Sequence, residues 1–260
     1  MLKISSMKVF FYMSIATTFI LTSCANKKDI YYLQDAQSID NGQIIYQSPT
    51  IQPNDILKIT VGSLEPETVI PYNRLVGENN NQNVLMMQLN GYLVDINHMI
   101  DFPVLGKILT YNLSTTQLAK KIKDKLIQDG HLMNPDINVR IINAKVTILG
   151  EVNQPGTYNF TEENITLMQA IGYAGDLTIN GKRNDILITR EVDGVRQVTH
   201  VDLTSSIFMN STFYFVKPND LIIVNPNEPK VKSAGFVGNV GTVATVISLV
   251  LSLTILLTTR

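Results

Sequence analysis

Residues 144–156 read Ala144-Lys145-Val146-Thr147-Ile148-Leu149-Gly150-Glu151-Val152-Asn153-Gln154-Pro155-Gly156, and this stretch separates two folded units. The apolar run at 146–149 predicts a strand. Pro155 and Gly156 follow it as a strong turn signal, because proline and glycine interrupt regular structure. We therefore expect a second unit to begin near Ala144, directly after a first unit that starts near Ile51.

The first unit is predicted to consist mainly of short strands. Apolar and polar residues alternate at 56–61 and at 137–141, and this alternation is typical of half-buried strands. Further strands are expected at 92–96 and at 101–108, where Pro103 favours an edge position. These strands give the first unit a small sheet.

The clearest helix of the first unit is predicted over 114–128. Ser114 and Gln117 have the spacing of a capping box, in which each side chain bonds the backbone of the other residue. An apolar stripe with helical spacing follows the box and consists of Leu118, Ile122 and Leu126. The helix is therefore expected to pack this stripe against the sheet.

The second unit contains the same kinds of sequence pattern as the first. A second capping box, Thr166 and Gln169, predicts a short helix over 166–173. Asp193-Gly194 predicts a hairpin turn between strands at 186–189 and 195–201. Each unit is thus expected to be a small α+β module with short strands and one capped helix.

A turn triplet occurs once in each unit. Pro53-Asn54-Asp55 precedes a strand of the first unit, and Pro218-Asn219-Asp220 precedes a strand at 221–224 in the second. Proline presets φ, and Asn and Asp bond their own backbone, so both triplets predict turns. Shared ancestry and common turn chemistry explain the repetition equally well.

The N-terminus resembles a bacterial lipoprotein signal. Lys3 and Lys8 precede an apolar segment at 9–20 that is short for a membrane span, and small residues then lead to Cys24. This pattern predicts acylation of Cys24, the only cysteine of the chain. The alternative is a buried or reactive thiol at this position. Lipid at Cys24 would anchor the chain firmly.

The C-terminal segment is the most apolar part of the chain. Residues 233–259 carry no charge, and 240–257 are almost wholly aliphatic. About 20 apolar residues are enough for a helix to cross a bilayer. The sequence therefore predicts a transmembrane helix over 236–258.

Small and polar residues form a stripe on this predicted helix. At about 100° per residue they fall within one arc of roughly 120°, and the stripe comprises Gly238, Gly241, Thr242, Thr245, Ser248 and Ser252. One interpretation is close packing of helices through small side chains. The other is that the stripe faces an aqueous lumen shared by several copies.

Composition excludes several functions. The net charge of −1 among 260 residues gives no reason to expect nucleic acid as a partner. His98, His131 and His200 lie far apart in the sequence, so no metal site is predicted. No phosphate-binding loop or nucleophile motif occurs, and we expect no cofactor and no catalytic residues.

Several runs together resemble the outer-membrane polysaccharide export lipoproteins. Gly91-Tyr92-Leu93-Val94-Asp95, Asp101-Phe102-Pro103-Val104-Leu105-Gly106-Lys107-Ile108 and Asn134-Pro135-Asp136 are similar to the polysaccharide biosynthesis/export domain. Val146-Thr147-Ile148-Leu149-Gly150-Glu151-Val152, Pro155-Gly156-Thr157-Tyr158 and Ala174-Gly175-Asp176 are similar to a soluble-ligand-binding β-grasp domain. The single β-grasp copy and the apolar tail are most similar to members from Bacteroidetes.

The resemblance implies a ring of identical subunits. It implies periplasmic modules, C-terminal helices that form a barrel across the outer membrane, and passage of capsular or extracellular polysaccharide from an inner-membrane co-polymerase. Lipid would be contacted through Cys24 and the C-terminal helix. The expected division is a signal peptide 1–23, linker 24–49, export domain 50–143, β-grasp domain 144–226, hinge 227–235 and transmembrane helix 236–258.

Three functions follow as hypotheses. The first is a subunit of an export channel with passive translocation through a ring lumen. The second is an outer-membrane glycan-binding or scaffold lipoprotein whose C-terminal helix acts only as an anchor. The third is a periplasmic glycan-processing enzyme, for which no motif of the sequence argues.

Overall fold

The computed structural model describes residues 30–38, 44, 46, 48–74, 88–192, 194–234 and 240–258. Within them the chain forms two α+β modules, each with its own hydrophobic core. We call the described residues between 48 and 143 the first module and those between 144 and 226 the second module. One core gathers residues from Ile51 to Val139, and the other gathers residues from Ala144 to Val224.

The first module is built on a three-stranded antiparallel sheet of order β2–β1–β5. Its strands are β1 Ile56–Gly62, β2 Tyr92–Leu93 and β5 Asp136–Ile141, and β3 Met99–Phe102 pairs with β4 Gly106–Leu109 in a separate hairpin. A 3-10 helix, Pro66–Tyr72, packs beside β1. The predicted alternation of β1 is confirmed, because Leu57, Ile59 and Val61 are buried and the residues between them are exposed.

Helix α1, Thr115–Gln128, covers this sheet. Ser114 is its N-cap and forms the expected capping box with Gln117, which confirms the prediction. The predicted stripe is fully buried against the core at Leu118, Ile122 and Leu126. The hydrophobic face of α1 therefore closes the first core.

The single strand expected at 101–108 is wrong, because this segment is the turn region of a hairpin. Phe102 pairs with Gly106, and residues 103–105 form the turn. Gly106 has φ of +69°, a value that glycine reaches without strain. The apolar residues around Pro103 and Gly106 suggested one strand, but the chain reverses direction between these two residues.

The second module contains a five-stranded sheet of order β10–β9–β12–β6–β7. Its strands are β6 Lys145–Gly150, β7 Gly156–Asn159, β9 Gly181–Val192, β10 Val195–Val201 and β12 Leu221–Pro226. β12 runs parallel to β6 and antiparallel to β9. The expected hairpin is confirmed, since Val192 pairs with Val195.

A helix and a second, two-stranded sheet complete this module. Helix α2, Leu167–Tyr173, has the predicted capping box between Thr166 and Gln169. The short strands β8 Ile165–Thr166 and β11 Phe215–Val216 pair beside it. Helix α3, Glu228–Ser233, follows β12 in the chain.

The N-terminal strap, residues 30–38, lies on the second module. The Leu33 N–H donates to the Leu203 carbonyl at 3.1 Å, and the Gln34 N–H donates to the Thr204 carbonyl at 2.7 Å. Asp35 accepts hydrogen bonds from the Ser205 hydroxyl at 2.8 Å and the Ser206 N–H at 2.5 Å. These bonds lower the pKa of Asp35, the Ser205 bond most strongly.

The predicted transmembrane helix over 236–258 is wrong. Helix α4 spans Val240–Thr258, 19 residues, or about 28 Å at 1.5 Å per residue. Threonine and serine hydroxyls also interrupt its aliphatic surface. Among the described residues, no helix combines the length and the apolar character that crossing a membrane requires.

Candidate functional site

A cavity of about 320 Å³ lies between the two modules. The first module contributes Thr115 at the start of α1 and the end of β5, and the second contributes the segment between β7 and β8. The residues that line it are Pro49, Thr115, Arg140, Ile141, Ala144, Phe160, Thr161, Glu162, Glu163 and Pro218. We call this cavity the intermodule cleft.

The cleft has apolar and charged walls. Ala144 and Phe160 belong to the core of the second module, and Ile141 packs against both cores. Pro49 and Pro218 add rigid apolar surface. A ligand in the cleft would therefore meet both hydrocarbon and charged groups.

Two carboxylates and one guanidinium provide the charged groups. Glu163 accepts hydrogen bonds from the Thr115 hydroxyl at 3.3 Å and from the Ser48 hydroxyl at 3.5 Å. The Glu162 carboxylate accepts the Thr161 N–H at 3.0 Å through one oxygen. Arg140 is exposed, and within the described chain no carboxylate lies at ion-pair distance from it. Its donors can therefore serve a ligand.

Aromatic rings continue from the cleft over the second module. The ring of Tyr46 lies 5.5 Å from that of Phe215, which in turn lies 4.8 Å from Tyr214. The Tyr214 ring lies 6.3 Å from Phe208. We call Tyr46, Phe215 and Tyr214 the aromatic row.

A buried ion pair holds the aromatic row in place. The Arg190 guanidinium donates to both Asp220 oxygens, with distances from 2.7 to 3.2 Å. It also donates to the Thr212 carbonyl at 3.0 Å and the Phe215 carbonyl at 2.8 Å. One side chain thus ties both ends of the segment 212–220 to the sheet.

A second polar cluster lies under the strap. The Tyr32 hydroxyl donates to Asp176 at 2.5 Å, and the buried Arg183 lies under the Tyr32 ring at 5.2 Å. Burial, and next the hydrogen bond to Asp176, raise the pKa of Tyr32. The cluster fastens the strap to the loop that contains Ala174-Gly175-Asp176.

The residues predicted as a site from the sequence lie elsewhere. Cys24 and Gly238 are outside the described residues. Gly241, Thr242, Thr245, Ser248 and Ser252 belong to helix α4. The hydroxyls of Thr245, Ser248 and Ser252 each donate to a carbonyl four residues earlier, at 2.8 Å. The stripe therefore presents less hydrogen-bonding capacity than its composition suggests.

One close pair of ionisable groups was missed by the sequence analysis. His200 and Asp185 are hydrogen-bonded across β9 and β10, and this bond is the main cause of a lowered pKa for Asp185. The described residues contain no group of three His, Cys, Asp or Glu side chains that could hold a metal. The pair stands on an exposed sheet surface.

The intermodule cleft was also missed. Its residues are scattered from Pro49 to Pro218, and no two of its charged positions have motif spacing. The only available signal was the adjacent pair Glu162-Glu163, which usually indicates a solvated loop. Packing of the two modules, rather than sequence proximity, creates the cleft.

Comparison with protein families finds a match in each module. Residues 46–142 match the family model described as polysaccharide biosynthesis/export protein. Residues 145–199 match the SLBB domain. The two matches support a polysaccharide export protein family, and most residues that line the cleft lie within the two matched ranges. Both families serve transport and binding, and export proteins of this type are typically periplasmic or associated with the outer membrane.

Proposed function

We propose that this chain is a subunit of an oligomeric channel that exports capsular or extracellular polysaccharide. The observation that carries the proposal is the order of an export domain and an SLBB domain around a shared cleft. Identical subunits in a ring would place such clefts around one axis. The polymer would pass along this axis passively, handed over by an inner-membrane co-polymerase.

Weak contact suits a transport role. The charged groups of the cleft are solvent-accessible, so each hydrogen bond to a glycan replaces one to water and contributes little net free energy. Many weak, equivalent contacts orient a polymer without halting it. A deep pocket with several buried donors would instead retain its ligand.

The stripe of helix α4 supports the oligomer. Gly241 and Ser248 are small, so neighbouring helices can approach closely there, whereas Val246 is a bulky residue on the same helix. We expect Gly241→Leu and Ser248→Leu to shift sedimentation in detergent towards smaller species, and Val246→Leu to leave it unchanged. Protein that is monomeric at all concentrations would contradict the proposed ring.

Acylation of Cys24 would attach the protein to a membrane. We propose a lipid anchor in the outer membrane with both modules in the periplasm. Mass spectrometry of the mature chain should detect an acylated N-terminal cysteine, and Cys24→Ala should abolish it. Fractionation of the Cys24→Ala variant should then recover the chain outside the outer membrane.

The export role is tested by deletion and complementation. Cells that lack the chain should have little polysaccharide on the surface or in the medium, and the wild-type chain should restore it. Unchanged surface polysaccharide in the deletion strain would refute the proposal. The alternative, a glycan-binding scaffold, is favoured by the same cleft, and it predicts normal amounts of exported polymer that is poorly retained on cells.

A further inference from the structure

We propose that the intermodule cleft and the aromatic row form one continuous binding track for uncharged sugar residues of a glycan. The proposal rests on the proposed function, since it names the class of glycan unit that this site takes. It assigns stacking to the aromatic row and hydrogen bonding to the charged groups of the cleft. No residue of helix α4 takes part.

Two chain segments connect the row to the cleft. Tyr46 precedes Pro49 of the cleft by three residues, and Phe215 precedes Pro218 of the cleft by three residues. Three residues span at most about 11 Å of extended chain. Both connections independently place the row next to the cleft, so a short oligosaccharide can contact both.

The exposed ring of Tyr46 is the stacking surface. Tyr46 is 68% exposed although its ring contacts Phe215, so much of its surface is accessible to a ligand. Sugar rings offer C–H groups on one face, and an aromatic face, being electron-rich, attracts them. Tyrosine also keeps its hydroxyl available for a hydrogen bond with a neighbouring sugar.

The charges of the cleft select an uncharged sugar. The Glu162 and Glu163 carboxylates can accept hydrogen bonds from sugar hydroxyls, and the Arg140 guanidinium can donate to ring or hydroxyl oxygens. An acidic sugar could pair with Arg140 but would face two carboxylates in the same cavity. Repulsion between like charges within one cavity therefore favours a neutral hexose over a uronic acid.

The apolar wall completes the site. Phe160, Ile141 and Ala144 line the same cavity as the charged groups. A hexose has hydroxyls around its edge and C–H groups on its faces, so it fits a cavity that is lined by both apolar and charged residues. The volume of about 320 Å³ leaves room for a sugar residue together with ordered water.

Saturation-transfer NMR on the full mature chain in detergent tests the proposal. Maltotetraose and cellotetraose are the neutral probes, and tetragalacturonic acid is the acidic probe. We expect binding of at least one neutral tetrasaccharide and weaker binding of the acidic one. Absence of transfer to both neutral probes would overturn the proposal, and preferential binding of the acidic probe would overturn its charge argument.

Variants locate the binding. Tyr46→Ala should weaken binding about tenfold, and Arg140→Gln should weaken it further in combination. Tyr31→Ala is the matched control, because Tyr31 is an exposed tyrosine of the strap, 57% accessible. Equal loss in Tyr46→Ala and Tyr31→Ala would refute the assigned track. Circular dichroism of each variant checks the fold.

The cell assay separates the two proposals. Normal export in the deletion strain refutes the export role, whatever the binding result. Loss of export on deletion, together with no binding of neutral probes in vitro, refutes the track alone. Tyr46→Ala is expected to lower the amount of exported polymer without changing the amount of the protein in cells.

Discussion

Asp55 and Asp220 occupy the same position of the same turn, but their carboxylates have different surroundings. Each accepts the N–H three residues earlier, from Gln52 at 2.8 Å and from Lys217 at 2.9 Å. Asn54 and Asn219 have φ of +70° and +67° in the two turns. Within the described chain, Asp220 has a buried arginine partner, Arg190, and Asp55 has none. The two triplets therefore form the same turn, but only the carboxylate of Asp220 is paired with a buried positive charge.

Asp55→Asn should stabilise the protein at neutral pH. Burial raises the pKa of Asp55 from 3.8 to about 6, so the folded state holds the proton more tightly than the unfolded state. The resulting stability is complete below pH 4 and is lost as pH rises through about 6. Urea unfolding at several pH values should show this loss in the wild type and not in the variant, a difference on the order of 3 kcal/mol at pH 7.

Asp220→Asn should have the opposite effect. Removal of its charge leaves Arg190 buried without a counter-ion, which costs about 3 kcal/mol or more. The same urea experiment at pH 7 measures it. If both asparagine variants changed stability in the same direction, the different roles of the two carboxylates would be contradicted.

At the scale of elements, the second module depends on a close backbone contact between strands β6 and β12. Gly150 ends β6 with φ of +91°, and a Cβ there would lie 2.1 Å from the Val224 carbonyl oxygen of β12. Only glycine permits this approach of two parallel strands. The glycine of the Gly150-Glu151-Val152 run thus has a structural role.

Gly150→Ala should destabilise the protein by about 3 kcal/mol or prevent folding, because the methyl group displaces β12. Gly130→Ala is the matched control: Gly130 has φ of +73° but open space around its Cβ, so only backbone strain of about 1 kcal/mol is expected. Thermal unfolding of both variants compares them. Equal losses would show that strain alone, without the contact, explains Gly150.

The strap is the second element whose contacts can be tested. Tyr32→Ala removes the bond to Asp176 and the contact with Arg183. We expect amide exchange at Leu33 and Gln34 to accelerate about tenfold, since their bonds to the second module would open more often. Tyr31→Ala should not change these rates. Unaltered exchange in Tyr32→Ala would show that the backbone bonds alone hold the strap.

At the scale of the whole molecule, a few polar contacts join the modules at the cleft. Glu163 bridges Thr115 of α1 and Ser48 through two weak hydrogen bonds. Weak contacts of this kind contribute little to stability, but we expect them to help to set the angle between the two modules. Glu163 is therefore the side chain at the cleft whose removal tests the contact between the modules.

Glu163→Ala should loosen the modules without unfolding them. We expect a change in the melting temperature of less than about 3 °C and a larger radius of gyration by small-angle X-ray scattering. Glu162→Ala is the control, because the Glu162 carboxylate, within the described part of the chain, accepts a hydrogen bond from its neighbour Thr161 and does not bridge the modules. A scattering profile identical to that of the wild type would refute the bridging role of Glu163.

Local patterns in the sequence determined the capped helices, the alternating strands and the two turn triplets. Capping boxes, periodicity and turn residues act over a few positions, so Ser114, Thr166 and Asp55 could be interpreted without the fold. The two-module α+β division followed from the same patterns.

Only the tertiary structure decided the sites. The ion pair of Arg190 with Asp220, the docking of the strap and the cleft join residues distant in sequence. Contacts of that kind depend on how formed elements pack, and a single sequence carries no local signal for them. The apolar C-terminal run shows that a local pattern can also mislead. Its hydropathy predicted a membrane-spanning helix, and helix α4 is not one.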